Sequence, residues 1–273
     1  MLTSLEARTI SGDVLTLPLG DISSGYIVQD ITGLGPVKAT LVSSSFANSD
    51  GAQYHSSRRD ARNILFKIGF DSTHPTLTVQ QLRNALYKFF MPKTEISLTF
   101  ILDETYHRDI VARVETFETP LFAKEPLVDI SVVCFNPDFY LPDAVLIGGL
   151  TTEDTTETMV TYAGTVDTGI IFKLLVDRSI SGFTIYHRTA ENLVRLLVFT
   201  YALIADDILT ISTVPGSKFI TLTRAGVDTS VLYSMSPQSN WIELQPGDNA
   251  IRVYAEGAPI PFTLEYITKY GGL

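Results

Sequence analysis

After Pro142 the sequence offers no convincing helix, only short β-rich runs cut apart by turn residues, and this spacing constrains the fold more than any other feature. Candidate strands lie at 170–176, 183–187, 194–200, 209–213, 219–223, 241–244, 251–254 and 262–267, recurring about every ten residues. Turn chemistry separates them at Pro215-Gly216, Ala225-Gly226, Ser236-Pro237 and Pro246-Gly247-Asp248-Asn249. Short strands at that interval, with no helical period between them, predict an antiparallel β-sandwich.

The first half is also β-rich, with runs at 98–102, 110–114 and 128–132, but one segment departs from the pattern. Between Thr78 and Met91 the side chains of Leu82, Leu86, Phe89 and Phe90 fall on one helical face, and Thr78 and Gln81 have capping-box spacing. Pro92 stops the segment. A helix is therefore expected over about 78–91, and a lone amphipathic helix in a β domain serves to plug one end of a barrel or sheet. Asn136-Pro137-Asp138 and Pro142-Asp143 mark a break, so the expected domains are 1–142 and 143–273. Each half of the 273 residues is long enough to bury its own core without staples. The polar run 151–158 reads as a solvated loop or an edge strand.

The formal net charge is −10, and both halves are acidic: 12 basic against 16 acidic residues up to Pro142, then 8 against 14. Phosphate binding needs clustered Lys and Arg, so specific nucleic-acid binding is not expected. Charged residues are 18% of the chain, below the usual quarter or so. That leaves two readings open, a large core or a surface partly covered in an assembly. Cys134 stands alone, which rules out an intrachain disulfide and a cysteine zinc site; its neighbours 130–135 make it a small buried hydrophobe. No secretory signal opens the sequence and no apolar run approaches bilayer length, so a cytoplasmically made chain with no membrane partner is expected.

Catalytic patterns are missing. His55, His74, His107 and His187 form neither His-x-His nor His-Glu-x-x-His, and no Gly-x-Ser-x-Gly elbow or phosphate loop occurs. Asp206-Asp207 and Gly247-Asp248-Asn249 fit turns better than calcium loops. Glu115 and Glu118 would diverge on an extended strand, which argues against a paired-carboxylate hydrolase. Gly33-Leu34-Gly35-Pro36-Val37-Lys38 resembles the start of a dinucleotide fingerprint but has Lys38 where the third glycine belongs, and a strand pattern follows it. No catalytic, cofactor or metal residues are assigned. Arg58-Arg59-Asp60-Ala61-Arg62 is the one basic cluster, read as a solvated or interface face. Trp241 and the tyrosines keep a carbohydrate-binding sandwich as the alternative, although the spacing of Trp241 and Glu243 suits a core or edge anchor.

Taken in order, these residues resemble a known family across almost the whole chain. Gly33 to Ala39 is followed by Asp50-Gly51, by Arg58-Arg59-Asp60-Ala61-Arg62-Asn63-Ile64, and by the helix with Leu86-Tyr87 and Phe90. Val114-Glu115 and Glu118 come next, then the run from Ile130 to Tyr140, and finally the run from Trp241 to Ile251. The order and spacing resemble the distal tail proteins of long, non-contractile-tailed (siphovirus) bacteriophages. Two departures stand out: Asn136 occupies a position where an acidic residue is usual, and the second half has no inserted carbohydrate-binding module.

The resemblance implies a mainly β protein with a barrel-like N-terminal domain carrying one helix and a galectin-like or jelly-roll C-terminal sandwich. It implies no enzymatic activity, a homo-hexameric ring, single or back to back, and partners in the tail tube, the tail-tip hub, and fibre or receptor-binding proteins. Its location would be the virion. The stretch from Gly33 to Arg62 is glycine-marked, poorly periodic and basic, so it is the expected ring surface. Leu34, Gly35, Pro36, Asp50, Gly51, Arg58, Arg59 and Arg62 are the candidate ring or partner contacts.

Overall fold

The computed structural model describes residues 2–48, 50–103, 106–120 and 126–273. The chain divides into two compact units, Met1–Pro142 with Gly271–Leu273, and Asp143–Tyr270. The last three residues thus belong with the first unit and not with the sandwich.

In the first unit the strands are β1 (Ser4–Thr9), β2 (Val14–Pro18), β3 (Tyr26–Thr32), β4 (Ala39–Ser44), β5 (Gln53–Arg59) and β6 (Arg62–Phe70). Helix α1 (Val79–Phe90) follows, then β7 (Glu95–Ile101), β8 (His107–Glu118), β9 (Leu127–Cys134) and the start of β10 (Phe139–Leu150). The antiparallel ladder runs β2-β1-β7-β8-β9-β6-β3. No ladder joins β2 to β3 among the described residues, so the barrel-like domain is an open sheet. Period-two alternation selects its faces. On β6, Arg62, Ile64, Phe66 and Ile68 point inward while Asn63, Leu65 and Lys67 point out.

Helix α1 begins where Thr78 and Gln81 close a capping box and ends before Pro92. It buries Leu82, Leu86, Phe89 and Phe90 on the inner face of the sheet, with the Phe66 and Phe90 ring centroids 6.1 Å apart. Each such side chain contributes roughly 1.5–3 kcal/mol through burial. Tyr26 donates its hydroxyl to the Leu82 carbonyl at 3.0 Å, joining the helix to β3.

Among the described residues β4 and β5 pair only with each other, from Ala39 opposite Arg59 to Ser44 opposite Gln53. Every residue of β5 is exposed. Polar side chains fill β5 except at Tyr54, and the ribbon's apolar side chains stay exposed, so it stands as a two-stranded arm.

The second unit contains β11 (Thr158–Tyr162), β12 (Thr168–Leu175), β13 (Phe183–Arg188), β14 (Val194–Phe199) and β15 (Ile208–Ser212). It continues with β16 (Phe219–Arg224), β17 (Val227–Ser230), β18 (Glu243–Leu244), β19 (Gly247–Tyr254) and β20 (Pro261–Tyr270). One sheet runs β17-β16-β15-β12-β20 and the other β11-β19-β13-β14, all antiparallel. Phe172 of the first sheet and Phe183 of the second lie 5.8 Å apart, and the buried cluster draws on both sheets, so this is a sandwich. β11 extends the polar run 151–158 into an edge strand.

Candidate functional site

The least satisfied part of the first unit is the arm. Leu41 (66% exposed), Val42, Phe46 and Tyr54 are all open to solvent on it. A lone two-stranded ribbon is at best marginally stable in water, and exposed apolar side chains gathered on one element mark an interaction surface.

The root of the arm, by contrast, is heavily tied. Arg62 is only 1% exposed. Its Nε donates to the Pro137 carbonyl at 2.8 Å, one terminal nitrogen donates to the Gly33 and Gly35 carbonyls at 2.6 Å each, and the other donates to the Gly271 carbonyl at 2.7 Å. The Leu273 amide donates to the Leu34 carbonyl at 3.1 Å. The tail 271–273 is therefore laid against the segment 33–35 that leads from β3 into the arm. Burial pulls the Arg62 pKa below its ordinary value, while the guanidinium fork matches the fixed array of carbonyls. Nearby, Arg59 grips the carboxylate of the buried Asp138 with both terminal nitrogens.

The sequence-assigned contacts separate accordingly. Gly35, Pro36, Asp50, Gly51, Arg58 and Arg59 are exposed, Leu34 is half-buried, and all except Asp50 and Gly51 lie at the arm's root. Arg62 faces inward and supports the root from beneath, so it presents nothing to a partner. Its burial was readable in principle, because it shares the parity of Ile64, Phe66 and Ile68.

A second surface joins three residues that sequence reasoning did not single out, Asp30, Lys67 and Asp129, to Glu118. On the outer face of β3, β6, β9 and β8, Asp30 stands opposite Lys67, Lys67 opposite Asp129, and Asp129 opposite Glu118. They line a groove of about 330 Å³ together with Thr32, Leu65 and Thr116. No short sequence pattern could reveal it, since four distant strands supply it.

Elsewhere the individual readings resolve simply. Cys134 is buried, and burial pushes its thiol up to about 12. Trp241 packs against the sandwich core. Val37 and Lys38 lead into strand β4, not a helix, which removes the phosphate-cradle geometry. Asp206 occupies a left-handed turn, and the adjacent Asp207 is buried against Arg224. His187 is buried and bonded to Asn249. Among the described residues no three His, Cys, Asp or Glu side chains gather as a metal group would require.

An open-sheet domain with a two-stranded arm, followed along the chain by a two-sheet sandwich, defines a β-rich protein of two units. Residues 163–270 match the protein family described as siphovirus-type tail component, C-terminal domain. The sandwich thus matches the model of a siphovirus-type tail-component domain, and the resemblance to distal tail proteins seen in the sequence is borne out. The Dit protein of phage SPP1, described as a paradigm of the hub adsorption apparatus in phages infecting Gram-positive bacteria, shares the fold. The match has a TM-score of 0.68 at 16% identity and covers 97% of this chain and 98% of that one. A chain of the phage P2 baseplate, solved in its activated conformation, aligns with a TM-score of 0.50 at 9% identity over the full length of both. No curated protein matches in sequence.

Proposed function

We propose that this chain is a structural protein of a siphophage virion, a hub at the distal end of the tail. In this reading six copies close into a ring that joins the tail tube to tail-tip, baseplate or receptor-binding proteins, and DNA passes through the lumen. The observation that carries the reading is the tail-component domain at 163–270, set within a fold shared with a phage hub protein over nearly the whole chain.

Supporting features come from the residues themselves. The arm leaves apolar surface that a monomer has no use for, and a charged fraction of 18% fits a chain whose surface is partly covered in an assembly. The net charge of −10 suits a conduit that repels phosphate. The role is architectural and non-enzymatic, exercised in the particle after synthesis in the host cytoplasm.

Light scattering after size exclusion tests the ring. Six copies of 30.1 kDa give about 180 kDa, or about twice that for paired rings. A chain that stays single overturns the ring, and a particle map with a lumen lined mainly by Lys and Arg overturns the DNA conduit.

A further inference from the structure

We propose that the arm of one copy seats in the acidic groove of a second copy, with Arg58 and Lys38 facing Asp129, Glu118 and Asp30. This rests on the ring reading above and names the two surfaces that meet.

The arm supplies the cations. Successive side chains on a strand point to opposite faces. Arg59 turns to its own Asp138, so Arg58 projects from the other face of β5. Thr40 stands opposite Arg58 and shares that face with Lys38. Asp60, on the same side, is occupied by two contacts from the Thr40 hydroxyl, both at 2.9 Å. Neither Arg58 nor Lys38 makes an ion pair among the described residues, and both are exposed.

The groove supplies the anions. Its cross-strand row holds three carboxylates and the single ammonium of Lys67, with Asp129 and Glu118 directly opposite each other. Like charges opposed across strands destabilise a sheet, and none of these four residues forms an ion pair among the described ones. A cation from outside relieves that repulsion. Leu65, 49% exposed beside the row, offers apolar contact for Val42, which shares the face of Thr40 on the arm.

The occupant is a second copy. From Arg62 at the arm's root to Lys67 the distance along β6 is about 16 Å, beyond the reach of an arginine in the same chain. Because arm and groove are different patches of one chain, their contact is heterologous and repeats head to tail until it closes.

A charge swap tests this. Arg58→Glu alone, and Glu118→Lys with Asp129→Lys, should each raise the dissociation constant of the ring about tenfold or more. All these positions are exposed, and thermal melts check that each variant folds. Combining the three substitutions should restore assembly. Independently, Arg58→Cys with Glu118→Cys should give oxidised chains linked into ladders on a denaturing gel, since native Cys134 is buried. If the wild-type ring forms while the reversals leave it intact, the combination fails to recover, or no ladder appears, the pairing is wrong and the ring stands. A wild-type chain that stays monomeric overturns both readings.

Discussion

The guanidinium of Arg62 lies 4.4 Å from the centroid of the Phe139 ring and directs its hydrogen bonds to four main-chain carbonyls. Stacking holds the plane of the fork, and the fork ties together segments as far apart in sequence as Gly33 and Gly271. A buried cation satisfied by carbonyls alone is tolerable only while every bond is made. Arg62→Met would leave those four acceptors without their donor, a loss of about 3 kcal/mol. Arg62→Lys keeps the charge but cannot span the array, and should rescue little. Urea unfolding measures the loss, and hydrogen exchange should rise first at 33–36 and 271–273.

Gly33 turns the chain into the arm with φ of +86°, and an added Cβ would stand 2.0 Å from the Asn63 carbonyl oxygen. Gly33→Ala therefore carries both left-handed strain and a backbone clash, and should destabilise the first unit by at least about 2 kcal/mol. At Gly35 a Cβ meets open space, so Gly35→Ala should be within about 0.5 kcal/mol of the parent. Equal melting temperatures for the two variants would contradict this account.

Local chemistry made much of the fold legible. The capping box at Thr78 and Gln81, the stop at Pro92 and the turn pairs at Pro215-Gly216 and Ala225-Gly226 each act within a few residues, and the structure places elements accordingly. Arg62 was harder. A run of three arginines within five residues reads as a charged surface, yet strand parity sends Arg59 and Arg62 to separate partners and leaves Arg58 outside. The groove was invisible for a different reason: Asp30, Lys67, Glu118 and Asp129 become neighbours only through ladder register. The tail at 271–273 carries no pattern of its own and is fixed wholly by what receives it.

In the sandwich, Asp207 is almost fully buried, accepts two bonds from Arg224 at 2.8 and 2.6 Å, and accepts the Ile204 amide at 2.9 Å. The bonds from Arg224 hold its pKa below the ordinary value of 3.8. Asp207→Asn keeps the shape but loses the charge, and should lower stability by about 1–2 kcal/mol; the half-exposed Arg224 screens the rest. Because the folded pKa is depressed, the parent's extra stability is present above about pH 3.8 and disappears as pH falls through the folded value. Denaturant midpoints for parent and variant should therefore converge in strong acid, and a constant gap would refute the charge argument.

His187 provides a second acid-sensitive case, near neutral pH. The Asn249 amide nitrogen donates to the Gln245 and Gly247 carbonyls, so its oxygen accepts from the Gln245 amide and from His187 Nε2, 2.9 Å away. Nε2 must then carry the proton, and buried Nδ1 has no hydrogen-bond partner among the described residues. A second proton on the ring would create an unsatisfied buried donor. Burial accordingly lowers the pKa below 6.5; the Asn249 bond opposes this, and among nearby charges Arg195 lowers it further while Asp167 raises it. The unfolded chain takes up a proton near pH 6.5 that the folded chain refuses, so stability is complete above that pH and falls below it. The slope can reach about 1.4 kcal/mol per pH unit. His187→Gln keeps a donor toward Asn249 without a titrating ring, and should flatten the decline in urea midpoint between pH 7.5 and 5.5. A variant whose midpoint falls as steeply as the parent's would show that the acid sensitivity arises elsewhere.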